Sequence, residues 1–214
     1  MKKLCFLFAL LLGQLTYGQD PNRFFEEVEK LVARSDTKQL NAPIIFAGSS
    51  SIRFWETLEQ DFPSAKLLNH GFGGSETTDL IWFSQALIMR YEPSKIFIYE
   101  GDNDLANGKS VDIIIADMKT LLRFIRRQLP DTPVYLISPK PSISRWHLRE
   151  QYEILNKELA DLCPSRENVS FINVWDSMLT TKGELNEDLF IADSLHMNEK
   201  GYEIWAKVIA PFVD

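Results

Sequence analysis

The chain has 214 residues, of which 45% are hydrophobic, and its 23 basic and 30 acidic side chains give a formal net charge of −7. This length and composition suit one domain with a sizeable apolar core. The acidic balance argues against a nucleic acid partner, since such a partner would need a clustered basic face.

The first 18 residues have the pattern of a secretory signal. Two lysines precede the apolar run 4–12, which is too short to span a bilayer, and small residues stand before the expected cleavage site. We expect cleavage before Gln19, which leaves a single domain of residues 19–214, periplasmic or extracellular and without a stable membrane anchor. The alternative is an uncleaved anchor. Cleavage also leaves Cys163 as the only thiol, so no internal disulfide can form.

Short apolar runs alternate along the chain with helical patterns. The runs predicted as strands cover residues 44–47, 66–69, 96–99, 134–137 and 169–174. The segments predicted as helices cover residues 23–34, 52–58, 77–91, 111–125, 145–162 and 198–212. Because neighbouring parallel strands need crossover connections, this alternation predicts a parallel sheet with helices on both faces.

The segments richest in small and polar residues follow predicted strands. They are 48–51, 71–74 and 101–104, with 193–196 beyond the fifth strand. Ligands of open parallel sheets bind at the carboxyl ends of the strands. We therefore expect these four segments to meet at one edge of the sheet.

Nucleotide and metal sites are not supported by the motifs. The segment 107–110 lies where a P-loop would be, but Asn103 stands where that pattern requires glycine. A calcium loop counted from Asp102 lacks its ligands at Ala106 and Ile113. The three histidines lack H-E-x-x-H spacing, so we expect neither a metal nor a cofactor.

Acyl transfer, in contrast, fits the four segments. Serines in 48–51 can present a hydroxyl at a helix start, where free N–H groups favour negative charge. The glycines of 71–74 let a backbone N–H approach a substrate, and Asn103 offers a side-chain donor to the same oxygen. Asp193, three residues before His196, can orient the imidazole as a base. Each segment alone also has an ordinary structural use, but the combination favours a hydrolase.

In these four segments the chain resembles the SGNH hydrolases, also called the GDSL esterase/lipase family. The resemblance extends over nearly the whole mature sequence. Residues 48–50 are similar to the family's G-D-S block, with Ser49 in place of the usual aspartate. Residues 69–74 are similar to the second block. Residues 101–104 match G-x-N-D and residues 193–196 match D-x-x-H, which are the more specific motifs.

The resemblance implies an α/β fold, a three-layer α/β/α sandwich with a flavodoxin-like five-stranded parallel sheet. It also implies a catalytic triad of Ser50, Asp193 and His196. The oxyanion hole would consist of the Ser50 and Gly74 N–H groups and the Asn103 side-chain amide. The family's reaction requires no cofactor.

The implied function is a secreted serine esterase that hydrolyses short acyl esters, above all acetyl esters on carbohydrates. Two alternatives stay open: a lysophospholipase or phospholipid acylhydrolase, and a non-catalytic carbohydrate-binding protein on the same fold. Trp55, Arg145 and Trp146 are the candidates for contact with a small-molecule or carbohydrate ester. Ser49 and Ser51 remain alternative nucleophiles because the G-D-S match is incomplete. The sequence leaves the oligomeric state open.

Overall fold

Five parallel strands form the sheet of the computed structural model, which describes residues 20–213. They are β1 (Ile44–Gly48), β2 (Leu67–Gly71), β3 (Lys95–Tyr99), β4 (Val134–Ile137) and β5 (Val169–Ile172). Their spatial order is β2-β1-β3-β4-β5, the flavodoxin-like arrangement, which confirms the predicted sheet. The predicted signal segment, residues 1–18, lies outside the described residues.

Helices connect the strands and cover both faces of the sheet. They are α1 (Phe25–Asp36), α2 (Ser50–Arg53), α3 (Leu58–Asp61), α4 (Thr77–Leu87), α5 (Asp102–Ala106), α6 (Val111–Gln128), α7 (Arg149–Leu162) and α8 (Glu199–Val213). The helix predicted over 77–91 ends at Leu87, and α5 lies where the sequence predicts a loop. Among residues 20–213, no helix combines the length and the apolar character needed to cross a membrane.

Alternate side chains of the strands face two separate cores. Ile45 and Ile96 pack with side chains from α1, α4, α6 and α7. Phe46 and Phe97 point to the other face and pack with α2, α3 and α8, with their rings stacked at a centroid distance of 4.4 Å. The strands are therefore buried on both sides, which confirms the three-layer α/β/α sandwich.

Trp55 lies inside the second of these cores, and its side chain is 1% exposed. Its Nε1 donates to Asp61 Oδ2 at 2.6 Å, and its ring packs edge-on against Phe46 and Trp205. The prediction that Trp55 contacts substrate is therefore wrong, because the ring has no free face for a ligand.

The first three strands end level with one another. Gly48, the last residue of β1, pairs with Gly71 of β2 and with Tyr99 of β3. Gly48 has φ +139°, and a Cβ there would lie 2.1 Å from the Tyr99 carbonyl oxygen, so another residue would force β1 and β3 apart. The loops after these strands therefore begin at one edge of the sheet, as the sequence predicts.

His70, on β2, is a fully buried histidine whose hydrogen bonds are internal. Its Nδ1 lies 2.5 Å from the Leu87 carbonyl oxygen, and its Nε2 lies 2.8 Å from Ser35 Oγ. Since a carbonyl oxygen only accepts, Nδ1 carries the proton and Nε2 accepts from the Ser35 hydroxyl. Burial lowers the pKa of His70 from 6.5 to about 4.

We expect His70 to make the free energy of unfolding pH-dependent. Because its pKa is lower in the folded chain, unfolding takes up a proton between pH 6.5 and 4, so stability falls as pH falls through this window. The full loss is about 3 kcal/mol. Denaturant unfolding at pH 7 and pH 4.5 measures this slope. It should become shallower in His70→Gln and stay unchanged in His147→Gln, which alters an exposed histidine. Equal slopes in all three proteins would contradict the prediction.

Candidate active site

Three predicted site residues form a hydrogen-bonded row. Ser50 is the first residue of α2, directly beyond β1, and its Oγ lies 2.8 Å from His196 Nε2. His196 Nδ1 lies 2.6 Å from Asp193 Oδ2. Because a carboxylate only accepts, Nδ1 carries the proton, which leaves Nε2 to accept from the Ser50 hydroxyl.

Asp193 and His196 lie in an irregular loop before α8 rather than on its first turn. Asp193 Oδ1 accepts hydrogen bonds from the backbone N–H groups of Leu195 and His196, both at 2.9 Å. Although partial burial pushes the pKa of Asp193 upward, hydrogen bonds from the His196 side chain and these two N–H groups lower it to about 2. The carboxylate is therefore ionised at neutral pH and stabilises any positive charge on the imidazole.

The structure separates the three consecutive serines at the end of β1. Ser49 and Ser51 are 1% and 3% exposed, respectively. Among the described residues, only the Ser50 hydroxyl is hydrogen-bonded to His196. The neighbouring hydroxyls point into the fold, so Ser50 is the serine placed for contact with a substrate.

Hydrogen-bond donors surround this serine. Within residues 20–213, the backbone N–H groups of Ser50 and Gly74 have no hydrogen-bond partner. Gly74 has φ +75°, a conformation that favours glycine, and it is exposed. Asn103, the second residue of α5, uses one amide N–H to bind the Ser75 carbonyl oxygen at 2.8 Å. The structure thus brings the donor-bearing loops after β2 and β3 into direct contact.

An ion pair lies beside Asn103. Arg145 donates through Nη1 to the buried Asp102 carboxylate and through Nη2 to Asn103 Oδ1, the latter at 2.9 Å. The hydroxyls of Tyr152 and Tyr99 also donate to Asp102. The guanidinium that the sequence offers as a substrate contact is thus bound on two sides by protein groups.

Sequence reasoning missed Lys140, which follows β4 and is 1% exposed. Its Nζ donates to the Leu195 carbonyl oxygen at 2.6 Å and lies 5.4 Å from the centre of the Phe190 ring. Burial lowers the pKa of Lys140 to about 8. This side chain ties the loop that carries His196 to the edge of the sheet. No sequence motif marks it, because its partner is 55 positions away.

A cavity of about 460 Å³ opens beside His196. The Phe54 ring, part of its wall, meets the imidazole edge to face at a centroid distance of 4.7 Å. The acidic side chains in the wall are Glu56, Asp193 and Glu199, and its apolar side chains include Ile191 and Met197. Among residues 20–213, no lysine or arginine lines it. The cavity therefore combines apolar surface with negative charge.

Two other features lie outside this cavity. Trp146 stacks on Trp175 at a centroid distance of 6.1 Å, has the Arg149 guanidinium over its ring and is not part of the cavity wall.

A larger cavity of about 630 Å³ is lined by basic side chains of α6 and by Val169, the first residue of β5. It lies at the amino ends of the strands, at the opposite edge of the sheet from His196. No group of three or more potential metal ligands occurs among residues 20–213.

The α/β sandwich and the row of serine, histidine and aspartate are typical of a carboxylic ester hydrolase, and the family match supports that class. The model of the GDSL-like lipase/acylhydrolase family matches residues 37–204, and the chain belongs to that family. Among curated protein sequences, no relative matches the chain.

Several solved structures share the fold. A Streptococcus pneumoniae protein reported as a candidate platelet activating factor is 22% identical, with a TM-score of 0.78. The alignment covers 90% of this chain and 95% of that protein. A GDSL-like lipase from Bacteroides thetaiotaomicron is 16% identical, with a TM-score of 0.74. The alignment covers 91% of this chain and 98% of the lipase. A catalytic mutant of an acetylxylan esterase from Geobacillus stearothermophilus is 13% identical, with a TM-score of 0.66. The alignment covers 81% of this chain and 94% of the esterase.

Proposed function

We propose that the chain is a serine esterase that works through an acyl-enzyme on Ser50. The observation that carries this proposal is the row from Ser50 through His196 to Asp193 beside unpartnered N–H donors. Ser50 Oγ attacks the ester carbonyl carbon while its proton passes to His196 Nε2, and Asp193 stabilises the resulting imidazolium.

Hydrogen bonds stabilise the negative charge that develops on the carbonyl oxygen. The donors are the N–H groups of Ser50 and Gly74 and the side-chain amide of Asn103. When the tetrahedral intermediate collapses, the C–O bond to the alcohol breaks and His196 returns the proton to the leaving oxygen. Water then attacks the acyl-enzyme by the same route, which releases the acid and restores the Ser50 hydroxyl.

The cavity beside His196 supports an uncharged leaving alcohol. The leaving oxygen must take its proton from His196 Nε2, so the alcohol lies on the side of the imidazole. Of the residues that the structure describes, three carboxylates and no cation line the wall there. Negative groups of the alcohol would be repelled there. We propose an acetyl ester of a neutral carbohydrate as the substrate, in keeping with the acetylxylan esterase among the similar structures. A phospholipid carries an anionic phosphate and fits this wall less well.

We expect the enzyme to prefer an uncharged leaving group over an anionic one. The probes are 4-acetoxybenzoate and its methyl ester, with each kcat/KM divided by the rate of hydrolysis by hydroxide. The neutral ester should be favoured by about tenfold, from a repulsion of about 1–2 kcal/mol in a screened site.

Carboxylate removal tests the cause of that preference. The double variant Glu56→Gln, Glu199→Gln should bring the ratio closer to one, because it removes two of the three carboxylates of the cavity wall. Glu203→Gln, an exposed α8 position outside the wall, should leave the ratio unchanged. The same ratio in all three proteins, or a preference for the anionic ester, would contradict the proposed alcohol site.

We also propose that residues 1–18 direct export. The amino-terminal sequence of the protein recovered from the periplasm or the medium should then begin at Gln19. A protein that retains Met1, or that stays in the cytoplasm, would contradict the proposed export.

A further inference from the structure

The Asn103 amide is held at both of its ends. Oδ1 accepts from Arg145 Nη2 at 2.9 Å, and Nδ2 donates to the Ser75 carbonyl oxygen at 2.8 Å. A guanidinium can only donate and a carbonyl can only accept, so these two partners permit one orientation of the amide. Because the amide nitrogen has two N–H groups, one remains for a substrate oxygen. The flipped orientation would place Oδ1 where the N–H is needed.

Arg145 is itself fixed. Its Nη1 pairs with Asp102, which is 4% exposed and which also accepts from Tyr99 Oη at 2.9 Å and from the Tyr152 hydroxyl. The Arg145 side chain is 16% exposed. The guanidinium therefore has little freedom to leave Asn103 and serve as a mobile substrate contact.

We propose that Arg145 is a positioning residue that orients and polarises the side-chain amide of Asn103 for stabilisation of the oxyanion. A charge-assisted hydrogen bond to Oδ1 draws electron density through the amide, so the free N–H becomes a stronger donor. The fixed positive charge also favours negative charge developing close by. This inference rests on the proposed function, in which Asn103 contacts the oxyanion.

A double-mutant cycle tests the proposal. Kinetics with a neutral acetate ester are compared for the wild type, Asn103→Ala, Arg145→Lys and the double variant. Lysine keeps a positive charge beside Asp102, but it lacks the planar fork that reaches two partners at once. Arg149→Lys is the matched control, because Arg149 is exposed and pairs with Glu153.

Asn103→Ala should lower kcat by about 10²–10³-fold with little change in KM. Arg145→Lys should lower kcat by about tenfold or more in the wild-type background, again with little change in KM, and by less than about threefold in the Asn103→Ala background. Arg149→Lys should retain wild-type kinetics. A thermal melt of each variant verifies that it is folded.

If the loss of kcat in the double variant equals the product of the losses in the two single variants, Arg145 acts without Asn103, and the proposal is overturned. An unchanged kcat in Arg145→Lys, or a loss confined to KM, would also overturn it. The Ser50→Ala variant, assayed alongside, separates this outcome from failure of the proposed function. If Ser50→Ala is inactive and Asn103→Ala is slow while the cycle shows no coupling, the esterase mechanism stands and only the role of Arg145 falls.

Discussion

Ser50→Ala should lower kcat for ester hydrolysis by about 10⁵–10⁶-fold, because the variant loses the atom that forms the acyl-enzyme. The Ser50 side chain makes its hydrogen bond to His196 and is only partly buried, so the melting temperature should change little. The measurement is the initial rate with an activated acetate ester, together with a thermal melt.

Ser51→Ala is the matched control for this result. The change is chemically identical and one position away, but Ser51 is 3% exposed and its carbonyl, rather than its hydroxyl, binds Tyr202. We expect it to keep most of its activity. A Ser50→Ala variant that kept more than a tenth of the wild-type rate would show that the nucleophile is not Ser50.

Asp193→Asn should lower kcat by about 10³–10⁴-fold. The asparagine oxygen can still accept from the Leu195 and His196 N–H groups, but its NH₂ cannot accept from His196 Nδ1–H. The imidazole would then present the wrong tautomer to Ser50 and lose the charge that stabilises its cation. Because the Asp193 side chain is 42% exposed, we expect the fold to survive the change.

The control for this second prediction is Asp188→Asn, which removes an exposed carboxylate from the same stretch of chain. Its kcat should equal that of the wild type. The pKa of Asp193 is lowered to about 2, so its carboxylate should stay ionised throughout the assay range. An Asp193→Asn enzyme within tenfold of wild type would show that His196 does not depend on this carboxylate.

The sheet is the part of the fold that the sequence predicts best. Buried parallel strands leave continuous apolar runs, and the run at 134–137 coincides with β4. Local sequence patterns do not predict the short helix α5, because its acidic residues bind partners elsewhere in the chain. Asp104, for example, accepts from the Thr77 N–H, 27 positions away. Contacts of that kind are absent from local sequence patterns.

The same reason explains the uneven prediction of the site. The D-x-x-H pair is local, and the structure places Asp193 beside His196. Arg145 and Asn103 are 42 positions apart, so a pattern shows two polar residues but not their hydrogen bond. Trp55 looks like a surface aromatic beside the predicted nucleophile, yet the second core encloses it. Burial of a single aromatic depends on the packing of α3 and α8, which no local motif reports.

In the proposed mechanism, His196 activates the Ser50 hydroxyl for attack. Labelling with a fluorophosphonate, followed by intact mass and peptide mapping, tests it directly, since a protein that only binds carbohydrate has no activated serine. We expect one adduct per chain on Ser50, no adduct in Ser50→Ala and strongly slowed labelling in His196→Ala. An unlabelled wild-type protein, or an adduct on Ser49 or Ser51, would contradict it.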